Sequence, residues 1–267
     1  MSVTDRVKQL LMVVAQIPLF IISLPFLILF YVYIRVLEVL FSLTRWRNPN
    51  FFPTEMFPWT STLENNWRKI RTELDALVAD LDQVPNYQDL APSLITDDDK
   101  WKAVVLSVAG HRIEENARLC PETAKLLDGI PGLMYAMFSV LKPGKHLRAH
   151  RSLYGGVLNC HFPLRIPKDR KACVLRVGGE SRHYDEGRML VFNDRHVHEA
   201  WNRSDELRVV LLMYVERPLP YPLSSLNRLT IWLSRYLRAN TVDQIRKVAN
   251  EAGKKLRQPG AVGQETL

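Results

Sequence analysis

The residues able to do chemistry are concentrated in one stretch of the chain. All seven histidines lie between His111 and His198, and three of them, His150, His161 and His198, form a frame closed by Arg208. His150 opens a β-rich stretch, His198 stands at its far end in HVHEAW, and Arg208 begins the strand-like LRVVLLMYV after it. Two histidines distant in sequence that converge in a β-barrel can hold a redox-active metal, and an arginine on a neighbouring strand can hold an acid co-substrate. That pairing is the chemistry of a non-haem iron oxygenase. The short turn between His198 and Arg208 suggests an antiparallel hairpin that would set the two side chains close together. His146, His183 and His196 are assigned to structure, and the acidic turn of Glu180, Asp185 and Glu186 to solvent.

Such a frame needs a β scaffold, and the surrounding sequence supplies the pattern of one. Between His150 and Glu216, short β-prone runs at 154–164, 173–177, 189–192 and 207–215 alternate with the turn segments IPKDR, GGES, DEGR and NRSDE. Regular short strands with such turns indicate a sandwich or jelly roll. Period-two alternation places Asn159 and His161 on one strand face, the barrel interior. Upstream, AVVLSV and 134–141 read as strands and 121–127 as a helix. Trp67, Ile70, Leu74, Leu77, Val78 and Leu81 recur at three and four, which predicts an amphipathic helix packed on the core. The expected fold is mainly β with flanking helices, a jelly roll plus an N-terminal membrane helix.

The anchor reading rests on 10–34, where twenty-five residues pass without a charge. That length suffices to cross a hydrocarbon core about 30 Å thick as a helix. No small-residue cleavage site follows, so the segment is read as a retained anchor rather than a secretory signal. Pro18 and Pro25 interrupt it, leaving a kinked span and a shallow hairpin both open. Arg35, Arg45 and Arg47 after the run, against Asp5, Arg6 and Lys8 before it, favour a catalytic domain on the cytoplasmic side of a bacterial inner membrane. Asn48 to Ser61, rich in proline and aromatics, reads as an interfacial linker. In 223–237, Leu226, Leu229, Leu233 and Leu237 share one helical face beside Trp232 and Tyr236, with Arg228, Arg235 and Arg238 opposite. This pattern fits an interfacial membrane helix and equally a helix capping the barrel. The resulting division is an anchor over 1–47, a catalytic domain over 48–220 and an amphipathic tail over 221–267, disordered from about Gln258.

A formal net charge of +8 calls for anionic partners. The apolar N-terminus favours an anionic membrane surface, and no recognition motif supports nucleic acid. Cys120, Cys160 and Cys173 are widely spaced with no CxxC pair, consistent with reduced thiols rather than a zinc knuckle or disulfide framework.

FSVLKPGKHLRAH, followed by NCHFPLRIP, DEGRMLVFND, HVHEAW and LRVVLLMYVERP, resembles the aspartyl/asparaginyl β-hydroxylase family in order, spacing and flanking residues, over about Phe138 to Pro218. The resemblance implies a double-stranded β-helix that uses Fe(II), 2-oxoglutarate and O2. It implies His150 and His198 as iron ligands, Arg208 and Ser139 as the grip on the distal carboxylate of 2-oxoglutarate, and His161 as a further co-substrate contact. The family's bacterial branch hydroxylates acyl chains of lipid A and ornithine lipids, so the implied activity is hydroxylation of a membrane lipid, at the 2-position of a fatty-acyl chain. Hydroxylation of Asp or Asn in a protein and a scaffold without turnover are the alternatives. Two positions depart from the pattern. Ser152 stands where the lipid branch carries an acidic iron ligand, which water could replace and Ser152→Asp should tolerate. Asn159 stands where an arginine is common, with Arg148, Arg165 and Arg176 as possible substitutes.

Overall fold

A computed structural model describes residues 25–90, 96 and 98–257. Most of the apolar run before Pro25 and the tail expected to be disordered from Gln258 lie outside the described residues.

Strands β1 (Phe51–Phe52), β2 (Trp101–Val108), β3 (His111–Arg112), β4 (Leu133–Leu141), β5 (His146–His150) and β6 (Val157–Arg165) precede β7 (Cys173–Val177), β8 (Glu180–His183), β9 (Leu190–Phe192), β10 (His198–Asn202) and β11 (Arg208–Glu216). They form two sheets, ordered β1-β9-β6-β11-β4-β2-β3 and β5-β10-β7-β8. All named pairings are antiparallel. The result is the mainly β, jelly-roll architecture that the turn spacing implied, with helices on its flanks.

Strand alternation gives the larger sheet two different faces. In β11, Val209, Leu211, Met213 and Val215 join Phe138 and Val140 of β4 and Leu158, Cys160 and Phe162 of β6 in a buried apolar layer. Helix α3 (Trp67–Leu77) covers this layer with Ile70, Leu74 and Leu77. It is shorter than the apolar pattern suggested, ending at its cap, Val78. Helix α6 (Pro121–Asp128) adds Leu127, its Pro121 sitting at the first turn where the missing N–H has no intrahelical acceptor to lose. The other face of the sheet looks across the barrel at the smaller sheet, where Leu175, Val177 and Ala200 meet Val210 and Leu212.

The segment read as a linker is part of the domain. Phe51 of β1 pairs with Phe192 of β9, and Phe52, Phe57 and Trp46 pack together in the outer core. The aromatic richness that suggested an interface is used for internal packing. Arg217, fully buried, fastens this segment by donating to the carbonyls of Trp46 and Arg47, to Gly155 O at 3.0 Å and to Asn48 Oδ1 at 3.1 Å.

Helix α1 (Pro25–Ser42) is long and apolar enough to cross a membrane. Its first turns expose Phe26, Leu27, Ile28 and Leu29, whereas Leu37 and Phe41 enter the outer core. Glu38 on α1 accepts from Gly155 N at 2.9 Å and pairs with Arg195 at 3.1 Å, tying the helix to loops beside β10. Helix α7 (Leu223–Leu237) lies next to α1, through Tyr33 and Thr230 hydroxyls 3.2 Å apart. Its inward face mixes buried Asn227, Thr230 and Ile231 with half-buried Leu223 and Leu226, while Leu229, Trp232, Tyr236 and Leu237 are exposed. Asn227 donates to Gly156 O at 2.9 Å and accepts from Tyr154 at 2.6 Å. Only glycine fits at 156, because a Cβ there would stand 2.0 Å from Asn227 Oδ1. Helix α8 (Ala239–Arg257) then packs on β2 and on α5 (Glu114–Leu119).

Candidate active site

His150 and His198 are opposite one another on paired strands β5 and β10, with ring centroids 4.2 Å apart. Each Nδ1 meets a backbone carbonyl, Arg148 O at 2.7 Å for His150 and His196 O at 3.0 Å for His198. A carbonyl can only accept, so each Nδ1 carries the proton and each Nε2 keeps its lone pair. Burial lowers the pKa of His150 below the ordinary histidine value, and burial with the neighbouring His150 takes His198 down to about 4. Both imidazoles are therefore neutral and preset as donors, the state a divalent metal needs. The pair fits iron in donor type and protonation. Among the described residues no third His, Cys, Asp or Glu joins it in a metal-binding group.

On the larger sheet, the barrel-facing side carries Ser139 of β4, His161 and Asn159 of β6, and Arg208 at the start of β11. Strand register keeps them on this side, since Leu212 is opposite His161, Tyr214 opposite Asn159, and Val210 opposite Ser139. Arg208 is wholly buried, with Nε and Nη1 unpartnered among the described residues and Nη2 donating to Tyr184 Oη at 3.1 Å. Tyr184 Oη in turn lies 3.1 Å from His161 Nδ1. Arginine can only donate, so the tyrosine oxygen accepts from Arg208 and its own proton is available to His161 Nδ1, the arrangement that puts the proton of neutral His161 on Nε2. Burial first, then the Arg208 charge, hold His161 well below the ordinary histidine pKa. His161 is thus a neutral N–H donor, matched to a carboxylate oxygen. Ser139 Oγ accepts from Trp101 Nε1 at 3.0 Å.

A cavity of about 190 Å³ lies between the sheets, walled by His150, His198, His161 and Asn159 with Tyr87 and Trp101. Arg208 and Ser139 are set behind this lining, linked to it through Tyr184–His161 and through Trp101. An unpaired guanidinium in a barrel interior is destabilising unless an anion joins it, so this end of the site is built for a small acid.

Four features of the site differ from expectation or escaped it. His198 and Arg208 are not hairpin neighbours: β10 belongs to the smaller sheet and β11 to the larger, and the chain crosses between sheets around Asn202. Asn202, fully buried, secures that crossing by donating to Leu141 O at 2.9 Å and Glu206 O at 2.8 Å. Ser152 is engaged, its Oγ donating to Asp194 Oδ2 at 2.6 Å and its N–H to Asp194 O at 2.9 Å. Burial pushes the Asp194 carboxyl up to about 7. Arg176 does not stand in for an arginine at 159, because it pairs with Glu199 at 3.5 Å and lies over Trp201. Asn159 Oδ1 stays buried without a partner. Tyr184, Trp101 and Asp194 were missed because they sit in a turn, in an upstream strand and in a loop, where no local spacing marks them. The accessory histidines are structural: His146 stacks on Trp201, His183 Nδ1 meets Cys173 O at 3.3 Å, and His196 Nε2 meets Asn48 O at 3.0 Å. The three cysteines are free and buried, with burial pushing the Cys120 thiol up to about 12.

The fold and the site together make a jelly roll whose interior sets a neutral histidine pair against a buried arginine. Residues 64–218 match the aspartyl/asparaginyl beta-hydroxylase family, and the chain belongs to that family. It is 38% identical over 182 residues to an ornithine lipid ester-linked acyl 2-hydroxylase of Rhizobium tropici, covering 67% of this chain and 65% of that protein. Identity is 28% over 169 residues to the human aspartyl/asparaginyl beta-hydroxylase, covering 59% of this chain and 21% of the human protein. Among solved structures, a cupin 2 conserved barrel domain protein of Salinispora arenicola aligns over 51% of this chain and 88% of its own with 11% identity and a TM-score of 0.31.

Proposed function

We propose that this chain is a Fe(II)- and 2-oxoglutarate-dependent dioxygenase that hydroxylates the 2-position of a fatty-acyl chain in a membrane lipid, of the ornithine-lipid kind. The observation that carries the chemistry is Arg208, a fully buried guanidinium with two unpartnered nitrogens, on the same barrel interior as two neutral, facing histidines. The substrate class follows the Rhizobium tropici relative and the apolar α1 and α7 surfaces.

His150 and His198 would hold the iron through Nε2, with their Nδ1–H···O=C bonds fixing ring orientation. When bound, iron with 2-oxoglutarate and O2 supplies the oxidant, one oxygen atom entering the substrate C–H bond and the other the succinate formed as CO2 leaves. Arg208 and Ser139 hold the distal carboxylate of 2-oxoglutarate, exchanging the Tyr184 and Trp101 hydrogen bonds for bonds to the anion. His161 donates Nε2–H to the co-substrate. The cavity walls of Tyr87, Tyr135 and Leu212 exclude bulk water from the reacting carbon. Catalysis takes place at the anionic cytoplasmic face of a bacterial inner membrane, where α1 and the positive charge of the chain keep the site.

Lipid extracts of cells with and without the gene, compared by mass spectrometry, test this reading. A gain of one oxygen on an ester-linked acyl chain is expected, placed at carbon 2 by fragmentation. An unchanged lipid profile with full-length protein present sinks the lipid assignment, and failure of purified protein to turn over 2-oxoglutarate with Fe(II) sinks the chemistry.

A further inference from the structure

A second, larger hollow lies beside the histidine cavity. It measures about 350 Å³, within the roughly 300–1,000 Å³ range of small-ligand sites. Tyr87, Tyr135 and Tyr214 line both hollows, so the two share a wall. On the far side stand Ile231 of α7 and Val242 and Ile245 of α8, and Leu153 and Val157 close the flank. The lining is mainly apolar, with Ser152 and Asp194 among its polar members.

Two observations say what covers it. First, α7 carries apolar residues on both sides: Leu223, Leu226 and Ile231 turn inward with Asn227 and Thr230, while Leu229, Trp232, Tyr236 and Leu237 face out. Exposed Leu, Trp and Tyr beside the exposed apolar side of α1 make one surface that fits the interfacial zone of a bilayer. Leu153, which lines the hollow, is itself 70% exposed, so the hollow opens to the outside through an apolar lip. Second, Arg235 and Arg238 stand in the lining, and Arg235 Nε is buried without a partner among the described residues. An apolar hollow with cationic groups at its edge suits a hydrocarbon chain attached to a negatively charged headgroup, not a peptide or a free sugar.

We infer that the hollow between the barrel and helices α7 and α8 is the seat of the acyl chain of a membrane lipid whose headgroup carries a carboxylate, drawn from the bilayer past Leu153 and presented to the histidine cavity across the tyrosine wall. The inference rests on the lipid reading of the active site, and it adds α7–α8 as the element that selects the substrate. No residue of either helix lines the histidine cavity, so their contribution is binding rather than chemistry.

Photo-crosslinking separates the two claims. The full chain is placed in nanodiscs of phosphatidylethanolamine and phosphatidylglycerol containing an ornithine lipid whose ester-linked acyl chain carries a diazirine. After illumination, the labelled residues are mapped by mass spectrometry. Labelling at Ile231, Val242 or Ile245 is expected, and Val242→Trp, which fills the hollow, should reduce it about tenfold. Leu229→Ala on the outer face of α7 should leave it intact. Labels confined to α1 and the outer side chains of α7, or groove labels indifferent to Val242→Trp, overturn the seat, and the wild-type map decides even if that variant fails to fold. Hydroxylation of the same lipid is scored in parallel with Fe(II) and 2-oxoglutarate. Groove labelling without hydroxylation removes the proposed reaction and leaves the seat; hydroxylation without groove labelling removes the seat and leaves the reaction.

Discussion

The two faces of the larger sheet are made from the same strands and do opposite work. Outward from β11 go Val209, Leu211, Met213 and Val215, which meet only apolar partners beneath the helices. Inward from the same strand go Arg208, Val210, Leu212 and Tyr214, with His161, Asn159 and Ser139 from its neighbours. The outer face buries area, and among the described residues its side chains leave no buried polar atom unsatisfied. The inner face accepts an unpaired guanidinium and an orphaned amide oxygen, each a local loss of stability of about 1–3 kcal/mol or more. Stability and chemistry are therefore separated by one residue of alternation. A substitution on either face should move one property and spare the other.

The largest effect belongs to His198. His198→Ala should lower turnover of 2-oxoglutarate by more than about a hundredfold, beyond the 10–100-fold typical of losing a residue that hydrogen-bonds a metal ligand. Its urea midpoint without metal should stay near wild type, because relief of a desolvated imidazole offsets the lost packing of its ring on Phe192. Full turnover in both His198→Ala and His150→Ala would end the ligand assignment. Next comes Phe162→Ala on the outer face, where a large buried side chain is lost at an expected about 3–5 kcal/mol. In the molecules that remain folded, the KM for 2-oxoglutarate should not change. A shifted KM would mean that the faces are coupled.

Arg208→Met sharpens the contrast further. Affinity for 2-oxoglutarate, measured by calorimetry, should weaken by about 1.5–3 kcal/mol, the increment of a charged hydrogen bond. Stability should hold or rise, since an uncompensated buried charge is exchanged for an apolar chain of similar length. Loss of stability with unchanged co-substrate binding would make Arg208 a packing residue.

The sequence revealed the inner face better than it revealed what surrounds it. Alternation in β6 and β11, and turn segments such as DEGR, make the strands and the shared face of Asn159 and His161 legible, because period-two patterning is local. The crossing of β10 to the smaller sheet is invisible locally. It depends on Asn202 bonding to carbonyls of β4 and the following loop, residues some sixty positions away for Leu141 and Lys142. Tyr184 escaped notice for the same reason, since its value lies in joining Arg208 to His161 across 24 and 23 positions. The aromatic segment of β1 misled because Trp and Phe mark a membrane interface and a protein core alike. For α7 the composition left two readings level, and the structure shows why: Leu223, Leu226 and Ile231 turn inward with Asn227 and Thr230, while Leu229 and Leu237 stay exposed.

The smallest effect is expected at Ser152, at the edge where the inner face opens toward the α7–α8 hollow. Sequence alone made Ser152→Asp look like the completion of a ligand set. In the structure its Oγ is 2.6 Å from Asp194 Oδ2, so a carboxylate there meets another carboxylate before it meets a metal. Two such groups cannot both ionise at that distance, and one keeps a proton in the folded protein. Its folded pKa is then raised above the unfolded value, so the folded state binds more protons and stability falls as pH rises. Relative to wild type, Ser152→Asp should lose stability as pH rises from about 4, the ordinary aspartate value, through the raised folded pKa, on the order of 1.4 kcal/mol for each unit of raise. Iron affinity, followed with Co(II) as a spectroscopic substitute, should not tighten. Tighter metal binding with flat pH dependence would show that residue 152 can turn from Asp194 to the histidine pair. The serine would then be the departure that keeps the third coordination position open.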